Sequence, residues 1–359
     1  MKKNIAVLSG DGIGPEIMQE TLKVLDSIAK KYNHQFIYQR AEIGGAAYEK
    51  YQEHCPKKTI EICNNSDAIL FGSVGGPVDA QLENKWKNCE ANSLLAIRKT
   101  FGFNINIRPV KMYPELSDHC PLKQRVIKDD TDIVIFRELI GDIYFGEHKL
   151  DKNDRVGRFA SDTANYNEAQ IASIMHAAFK AARNRKKKVT SVDKANVLAT
   201  SKLWREIATE VHQEYPDIEL QHLYVDNCAM QMIINPRQFD VIVTANLFGD
   251  ILSDLASVLP GSLGLIPSAS LNENNFGMFE PSGGSAPDIA NQGIANPIAQ
   301  ILSAAMMLEY SFNLNQEADD IRNAVNQTIK EGHRTIDLAQ ENEKVLSTSE
   351  ITNVILQNI

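Results

Sequence analysis

Eight side chains along this sequence have the types and the order to do chemistry: Arg98, Arg108, Arg137, Tyr144, Lys194, Asp226, Asp250 and Asp254. They supply three permanent cations, an acid, a base and a set of carboxylates. A guanidinium fork matches carboxylate geometry, so three arginines could clamp a small polyanion bidentately. An all-carboxylate set is hard and oxygen-only, which selects Mg2+ or Mn2+ over Zn2+. Asp250 and Asp254 are spaced i, i+4 and would share a helix face, where like charges repel unless a cation intervenes. A lysine base must be brought down from a reference pKa of roughly 10.4 by burial or by neighbouring cations. A clamped dianion, a hard metal and a Lys/Tyr proton-transfer pair would suit oxidation and decarboxylation of a hydroxy-dicarboxylic acid. Each residue also has a plainer reading. Single arginines are usually solvated charges, Asp250 and Asp254 could mark a solvated face, and Asp226 could cap a helix starting at Asn227.

The elements that must position these residues alternate between strand and helix. Asn4–Ser9 reads as a short apolar strand and Gly10–Gly14 as a glycine turn. Pro15 then opens a helix with an Ile17, Leu22, Leu25, Ile28 stripe. Ala68–Gly72 is a second buried strand, broken by Gly75-Gly76-Pro77. Further apolar runs end just before the candidate residues: Ile133–Phe136 before Arg137, Lys188–Val192 before Lys194, Leu220–Val225 before Asp226, and Val241–Thr244 before the Asp250 loop. Open α/β sheets carry ligand groups at the carboxyl ends of their strands. Arg98 follows Leu94 by four residues on a helix expected over 92–100, which sets a hydrocarbon patch beside a cation. Residues 147–166 are polar and charged, and read as an extended arm or hairpin.

The Gly10–Gly14 turn has the setting of a dinucleotide fingerprint, but Pro15 stands where the last glycine of GxGxxG belongs. A simple tight turn explains it equally well. Two more glycine segments, Gly72–Pro77 and Pro281–Asp288, could bring backbone amides close to a pyrophosphate, which points to a dinucleotide bound outside the Rossmann plan.

Composition excludes several classes. At 359 residues and 43% hydrophobic the chain can bury a large core in two lobes. A net charge of −9 argues against nucleic acid or an acidic membrane as a partner. The basic run Arg183–Lys188 ends a helix, where cations are favoured electrostatically. Five cysteines, odd in number and without a CxxC pair, fit free thiols in a reducing cytoplasm. No apolar stretch approaches the roughly 18 residues of a membrane span, and Ile5–Leu8 after Met1-Lys2-Lys3 is too short for a signal peptide. A soluble cytoplasmic protein is expected.

Across nearly its whole length the chain resembles the isocitrate/isopropylmalate family of β-decarboxylating dehydrogenases. The resemblance is carried by GDGIGPE (10–16), FGSVGGP (71–77), LLAIRK (94–99), NIRPVK (106–111), RELIGDIYFG (137–146), VDKANVL (192–198), VDNCAMQ (225–231), TANLFGDILSDLAS (244–257) and GGSAPDIANQGIANP (283–297). It implies a two-lobed α/β fold with a mixed sheet, not a Rossmann fold. The larger lobe would be 1–103 plus 262–359, holding the cofactor site and both termini. The smaller, 104–261, would hold the metal and catalytic residues, the dimerisation surface and the arm near 147–166. The activity implied is NAD-dependent oxidative decarboxylation of 3-isopropylmalate to 4-methyl-2-oxopentanoate and CO2 in leucine biosynthesis. Siblings acting on malate, tartrate or homoisocitrate, and a non-catalytic regulatory paralogue, are the alternatives.

The family motifs carry roles over residue by residue. Arg98, Arg108 and Arg137 would hold the substrate carboxylates, and Asp226, Asp250 and Asp254 would hold Mg2+ or Mn2+, with Asp226 also facing substrate. Leu94 and Leu95 would favour an aliphatic branch. Lys194 would accept the hydroxyl proton as hydride passes to NAD+, and Tyr144 would assist the final protonation. Lys194 and Asp226 would reach in from the partner subunit of a homodimer with shared active sites. Ile13, Gly75, Gly76, Gly284, Ser285, Ala286, Pro287, Asp288, Ile289 and Asn296 match cofactor-binding positions. Asp288 would accept the adenosine ribose hydroxyl and so favour NAD over NADP. The chain departs from the pattern at Ala91, where many relatives have Glu and here Glu90 is the nearest acid, at Ile140 and Asp142, which replace a usual Thr and Gly, and at Gly283, where some relatives have His.

Overall fold

The computed structural model describes residues 1–123, 125–127, 131–153 and 157–359. Continuous apolar runs become buried strands and 3.6-periodic stripes become helices, as period and burial dictate. With strands and helices numbered along the chain, one unit comprises Met1–Gly102, Tyr113–Pro121 and Pro260–Ile359. Its strands are β1 (Lys2–Gly10), β2 (Gln35–Arg40), β3 (Ala68–Ser73), β11 (Pro267–Leu271) and β12 (Gly277–Pro281). They lie in the order β2-β1-β3-β12-β11, parallel except for the antiparallel β11/β12 pair. Helix α1 (Gly14–Tyr32) buries Ile17, Leu22, Leu25 and Ile28 and ends at Asn33 in the left-handed region. Tyr113–Pro121 is tied into this unit by Arg334, whose Nη2 donates to the Glu115 carbonyl at 3.2 Å.

The second unit comprises Phe103–Met112 and Leu122–Leu259. Its strands are β4 (Ile105–Lys111), β5 (Asp132–Glu138), β8 (Lys188–Asp193), β9 (Glu219–Tyr224) and β10 (Val241–Thr244). The order is β4-β5-β10-β8-β9, with β4 antiparallel to β5 and the rest parallel. Helix α5 (Glu168–Arg183) opens with a capping box between Asn167 and Gln170. The basic run after it is neutralised locally: Arg185 meets Asp240 at 2.7 Å and Asp132 at 2.8 Å, and Lys188 meets Glu219 at 3.3 Å. Two helices matter for chemistry, α7 (Val225–Ile234) and α8 (Asn246–Ser257).

The polar segment 147–166 contains an antiparallel pair, β6 (His148–Asn153) with β7 (Gly157–Asp162); residues 154–156 lie outside the described residues. Helix α7 starts two residues before the Asn227 expected from the sequence, at Val225, with Tyr224 at its N-cap. Asp226 therefore lies within the first turn and does not cap the helix. Its carboxylate still sits at the positive end of the helix dipole.

Candidate active site

Helix α8 carries two of the candidate carboxylates, Asp250 and Asp254. Its i, i+4 spacing puts Asp250 and Asp254 on one face, and the arginines of the neighbouring strands face them. From β5, Arg137, 2% exposed, donates from Nη1 to Asp250 Oδ1. From β4, Arg108 has Nη2 3.8 Å from Asp250 Oδ1 and Nη1 3.7 Å from Asp254 Oδ1. Arg108 is steered by its own strand and by α8: Nε donates to Asn106 Oδ1 at 2.9 Å and Nη1 to Ser253 Oγ at 2.7 Å.

Tyr144 lies in the 3-10 turn Ile143–Phe145 that follows β5. Its hydroxyl donates to Asp250 Oδ2 at 3.0 Å, and its ring lies 5.8 Å from the Arg137 guanidinium carbon. Burial, then the Asp250 charge and hydrogen bond, push the Tyr144 phenol above its ordinary range, with Arg137 opposing. The phenol therefore stays protonated at neutral pH, as a general acid requires. Burial also raises the Asp254 carboxyl, against the pull of Arg108. A divalent cation would reverse that cost by supplying charge to two crowded carboxylates. The donor set is hard oxygen, which fits Mg2+ or Mn2+.

Lys194 and Asp226 form a pair of their own. Lys194 follows β8, and its Nζ donates to Asp226 Oδ1 at 2.6 Å. That hydrogen bond holds the Asp226 carboxyl below its ordinary range. The turn is braced by Asp193, buried at the end of β8, which takes Arg205 bidentately at 2.8 and 2.9 Å. Among the described residues no three His, Cys, Asp or Glu side chains are grouped as a metal would need. One chain thus groups Asp250 with Asp254, and Asp226 with Lys194.

In the first unit, three glycine-bearing loops meet at strand ends. Ile13 N donates to Ser285 O at 2.8 Å, and Asp11 N to Ser73 O at 2.7 Å. Gly12, at φ +57°, passes so close that a Cβ would lie 1.9 Å from Ser285 O. Asp11 is buried beneath them, accepting from Gly45 N (2.8 Å), Ala46 N (2.8 Å) and Gly75 N (3.1 Å). Above Gly284 the space where a Cβ would stand is open to 4 Å, and Pro287 and Asp288 are exposed. The open space at Gly284 and the exposed acid Asp288 leave room there for a dinucleotide. Asn296 donates to Asp337 Oδ2 at 3.1 Å.

Arg98, buried in the same unit, donates from Nη2 to Glu280 Oε1 at 3.0 Å. Leu94 and Leu95, both half-buried, lie in a π-turn over Ala91–Leu95 that precedes α4 (Ala96–Phe101). The expected uniform helix over 92–100 is therefore interrupted; the wider turn carries an extra residue and changes the phase between Leu94 and Arg98. Glu90, at the head of that turn, points its Oε1 to within 2.6 Å of where a Gly75 Cβ would be.

Sequence reasoning missed Asp11, Glu280, Asn246, Tyr166 and Glu138. Asp11 was signalled by its place between two glycines of the turn; the others are recognisable only by their partners.

A model described as isocitrate/isopropylmalate dehydrogenase matches residues 4–355. The chain is 51% identical to 3-isopropylmalate dehydrogenase of Haemophilus influenzae and 48% identical to that of Clostridium pasteurianum, each over 99% of both chains. Among solved structures, isocitrate dehydrogenase from Methylococcus capsulatus matches with a TM-score of 0.86 at 34% identity over 99% of each chain. The TT0538 protein of Thermus thermophilus matches with a TM-score of 0.87 at 35% identity, over 99% of this chain and 68% of that one. With the matched model spanning all but the outermost residues, the chain belongs to the isocitrate/isopropylmalate dehydrogenase family.

Proposed function

We propose that the chain catalyses the NAD-dependent oxidative decarboxylation of 3-isopropylmalate to 4-methyl-2-oxopentanoate and CO2, a step of leucine biosynthesis, as a cytoplasmic homodimer. The observation that carries this reading is the cluster on α8, in which Arg137, Tyr144 and Arg108 converge on Asp250 and Asp254. The substrate assignment is supported by relatives of that name at about half identity over the whole chain. The free thiols fit a reducing compartment.

Arg98, Arg108 and Arg137 bind the two carboxylates, and Leu94 and Leu95 meet the isopropyl branch. Nζ of Lys194 takes the hydroxyl proton as the carbinol carbon is oxidised. The Tyr144 hydroxyl returns a proton to complete the product, a step of a kind typically worth about 10²–10⁴-fold. When bound at Asp226, Asp250 and Asp254, Mg2+ or Mn2+ supplies Lewis acidity at the substrate oxygens, of the order of several kcal/mol. NAD+ held by Ile13, Gly75, Gly76, Gly284–Ile289 and Asn296 supplies the hydride acceptor, with Asp288 placed to accept the ribose hydroxyl.

Sharing of sites in a homodimer is supported by the grouping of Asp250 with Asp254 but of Asp226 with Lys194, and by exposed apolar residues on the elements that carry them and on the arm. On α7 Met230, Ile233 and Ile234 are exposed, on α8 Ile251, and on the β6/β7 arm Leu150. Large apolar side chains left exposed on these elements are what a partner subunit would cover. NADH formation measured with a panel of 2-hydroxy acids tests the function. 3-Isopropylmalate should give the highest kcat/KM, and a higher value for malate or isocitrate would overturn the assignment.

A further inference from the structure

Behind Arg137 and Tyr144 runs a chain of hydrogen bonds whose members, Asn246, Tyr166 and Glu138, have no role in the chemistry assigned above. Asn246, 1% exposed, is the first residue of α8. Its Oδ1 accepts from both Nε (2.9 Å) and Nη2 (2.8 Å) of Arg137, and its Nδ2 donates to Gly141 O at 3.2 Å. Its backbone N–H donates to the Tyr166 hydroxyl at 2.9 Å. That hydroxyl in turn donates to the carboxylate of Glu138, which is fully buried and accepts from Ile140 N (3.0 Å) and Gly141 N (2.7 Å). The Tyr166 ring packs directly on Gly141, with Trp204 edge-on at 5.5 Å.

Two N–H groups of one guanidinium bound to a single amide oxygen fix the plane of the fork. A fork fixed before binding loses less freedom on taking up a carboxylate, and its specificity depends on its supporting shell. The same Asn246 grips Gly141, and Glu138 grips Ile140 and Gly141, so the turn that carries Tyr144 is tied to the same support.

We propose that Asn246 and Tyr166 are positioning residues for the reaction. Asn246 sets the plane of Arg137, and Tyr166, seated on Glu138, holds Asn246 and the Ile140–Tyr144 turn in register with α8. The proposal rests on the reading that Arg137 binds a substrate carboxylate.

The test uses the full chain with Mg2+, NAD+ and 3-isopropylmalate, and reads KM for each ligand, kcat and the thermal midpoint. Asn246→Ala should raise the hydroxy-acid KM by about tenfold or more, the scale of one charge-assisted hydrogen-bonding partner, while the NAD+ KM stays at the wild-type value. Asn246→Asp keeps an acceptor for both Arg137 N–H groups, so it should recover part of the hydroxy-acid KM. Tyr166→Phe keeps the ring and loses only the hydroxyl link; it should show the same split to a smaller degree, and it serves if the alanine variant does not fold. General loosening of the fold would move both KM values together or neither, and either result overturns the positioning role. If the wild type instead turns over malate or isocitrate, the substrate assignment fails and the same split is read with that acid. Turnover of none of these acids would sink both claims.

Discussion

Glu138 ends β5 with its side chain wholly out of water, next to the arginine that faces Asp250. Burial pushes its carboxyl up to about 7; two backbone N–H groups and the Tyr166 hydroxyl hold it down, and Asp142 adds repulsion. Desolvation outweighs three donors, so the folded state favours the protonated acid. A carboxyl raised above its unfolded value of 4.5 contributes stability that is complete below that value and is lost as pH rises through about 7. The difference corresponds to about 3 kcal/mol at most. The wild type should therefore lose thermal stability relative to Glu138→Gln as pH rises across this window. Parallel midpoint-versus-pH curves for the two proteins would show that Glu138 is ionised throughout. None of this was legible from Arg137-Glu138 in the sequence, because the Asn246 N–H to Tyr166 hydroxyl link spans 80 residues. The charged residues Arg108, Arg137, Asp250 and Asp254 were legible because each closes or follows an apolar run or repeats at helical spacing.

At the scale of the element, α8 is a helix whose first turn is capped from elsewhere in the chain. Its own N-cap, Ala245, offers no side-chain hydrogen-bond acceptor. The Tyr166 hydroxyl takes Asn246 N, and Asp142 Oδ2 takes Leu247 N at 3.0 Å. Asp142 does this from φ 70°, ψ −162°, a region nearly reserved for glycine. The cap gives Asp142 a task that a glycine at this φ could not perform. Asp142→Gly relieves strain of about 1–3 kcal/mol and loses a cap of about 0.5–2 kcal/mol, so its stability should stay near wild type. Asp142→Ala keeps the strain and loses the cap, and should melt below both. Equal midpoints for the alanine and glycine variants would show that the positive φ costs nothing here. The helix itself was readable from the i, i+4 spacing of Asp250 and Asp254, as β5 and β10 were from their unbroken apolar runs. The π-turn at Ala91–Leu95 was not, since one added residue leaves the local pattern almost unchanged. The place of β12 beside β3 was not either, because pairing across some 200 residues leaves no local signature.

For the whole molecule, the decisive question is whether one chain suffices. Arg108, Arg137, Tyr144, Asp250 and Asp254 form one cluster, while Lys194 and Asp226 pair with each other, and α7, which carries Asp226, also exposes Ile234 (62%). If Lys194 and Asp226 serve the neighbouring subunit, Arg98→Ala and Lys194→Ala homodimers should each be nearly inactive, since every site carries a lesion. In a mixed dimer the lesions fall together on one site. The chain with intact Arg98 then receives Lys194 from its partner, and one complete site forms. Unfolding the two variants together and refolding them should restore part of the wild-type activity, at a level that tracks the fraction of hybrid measured with differential tags. Hybrid dimers that form and remain inactive would place Lys194 in the same chain's site. In that case Lys194 would have to leave its ion pair with Asp226 and lose its proton within its own chain's site before it could act as the base.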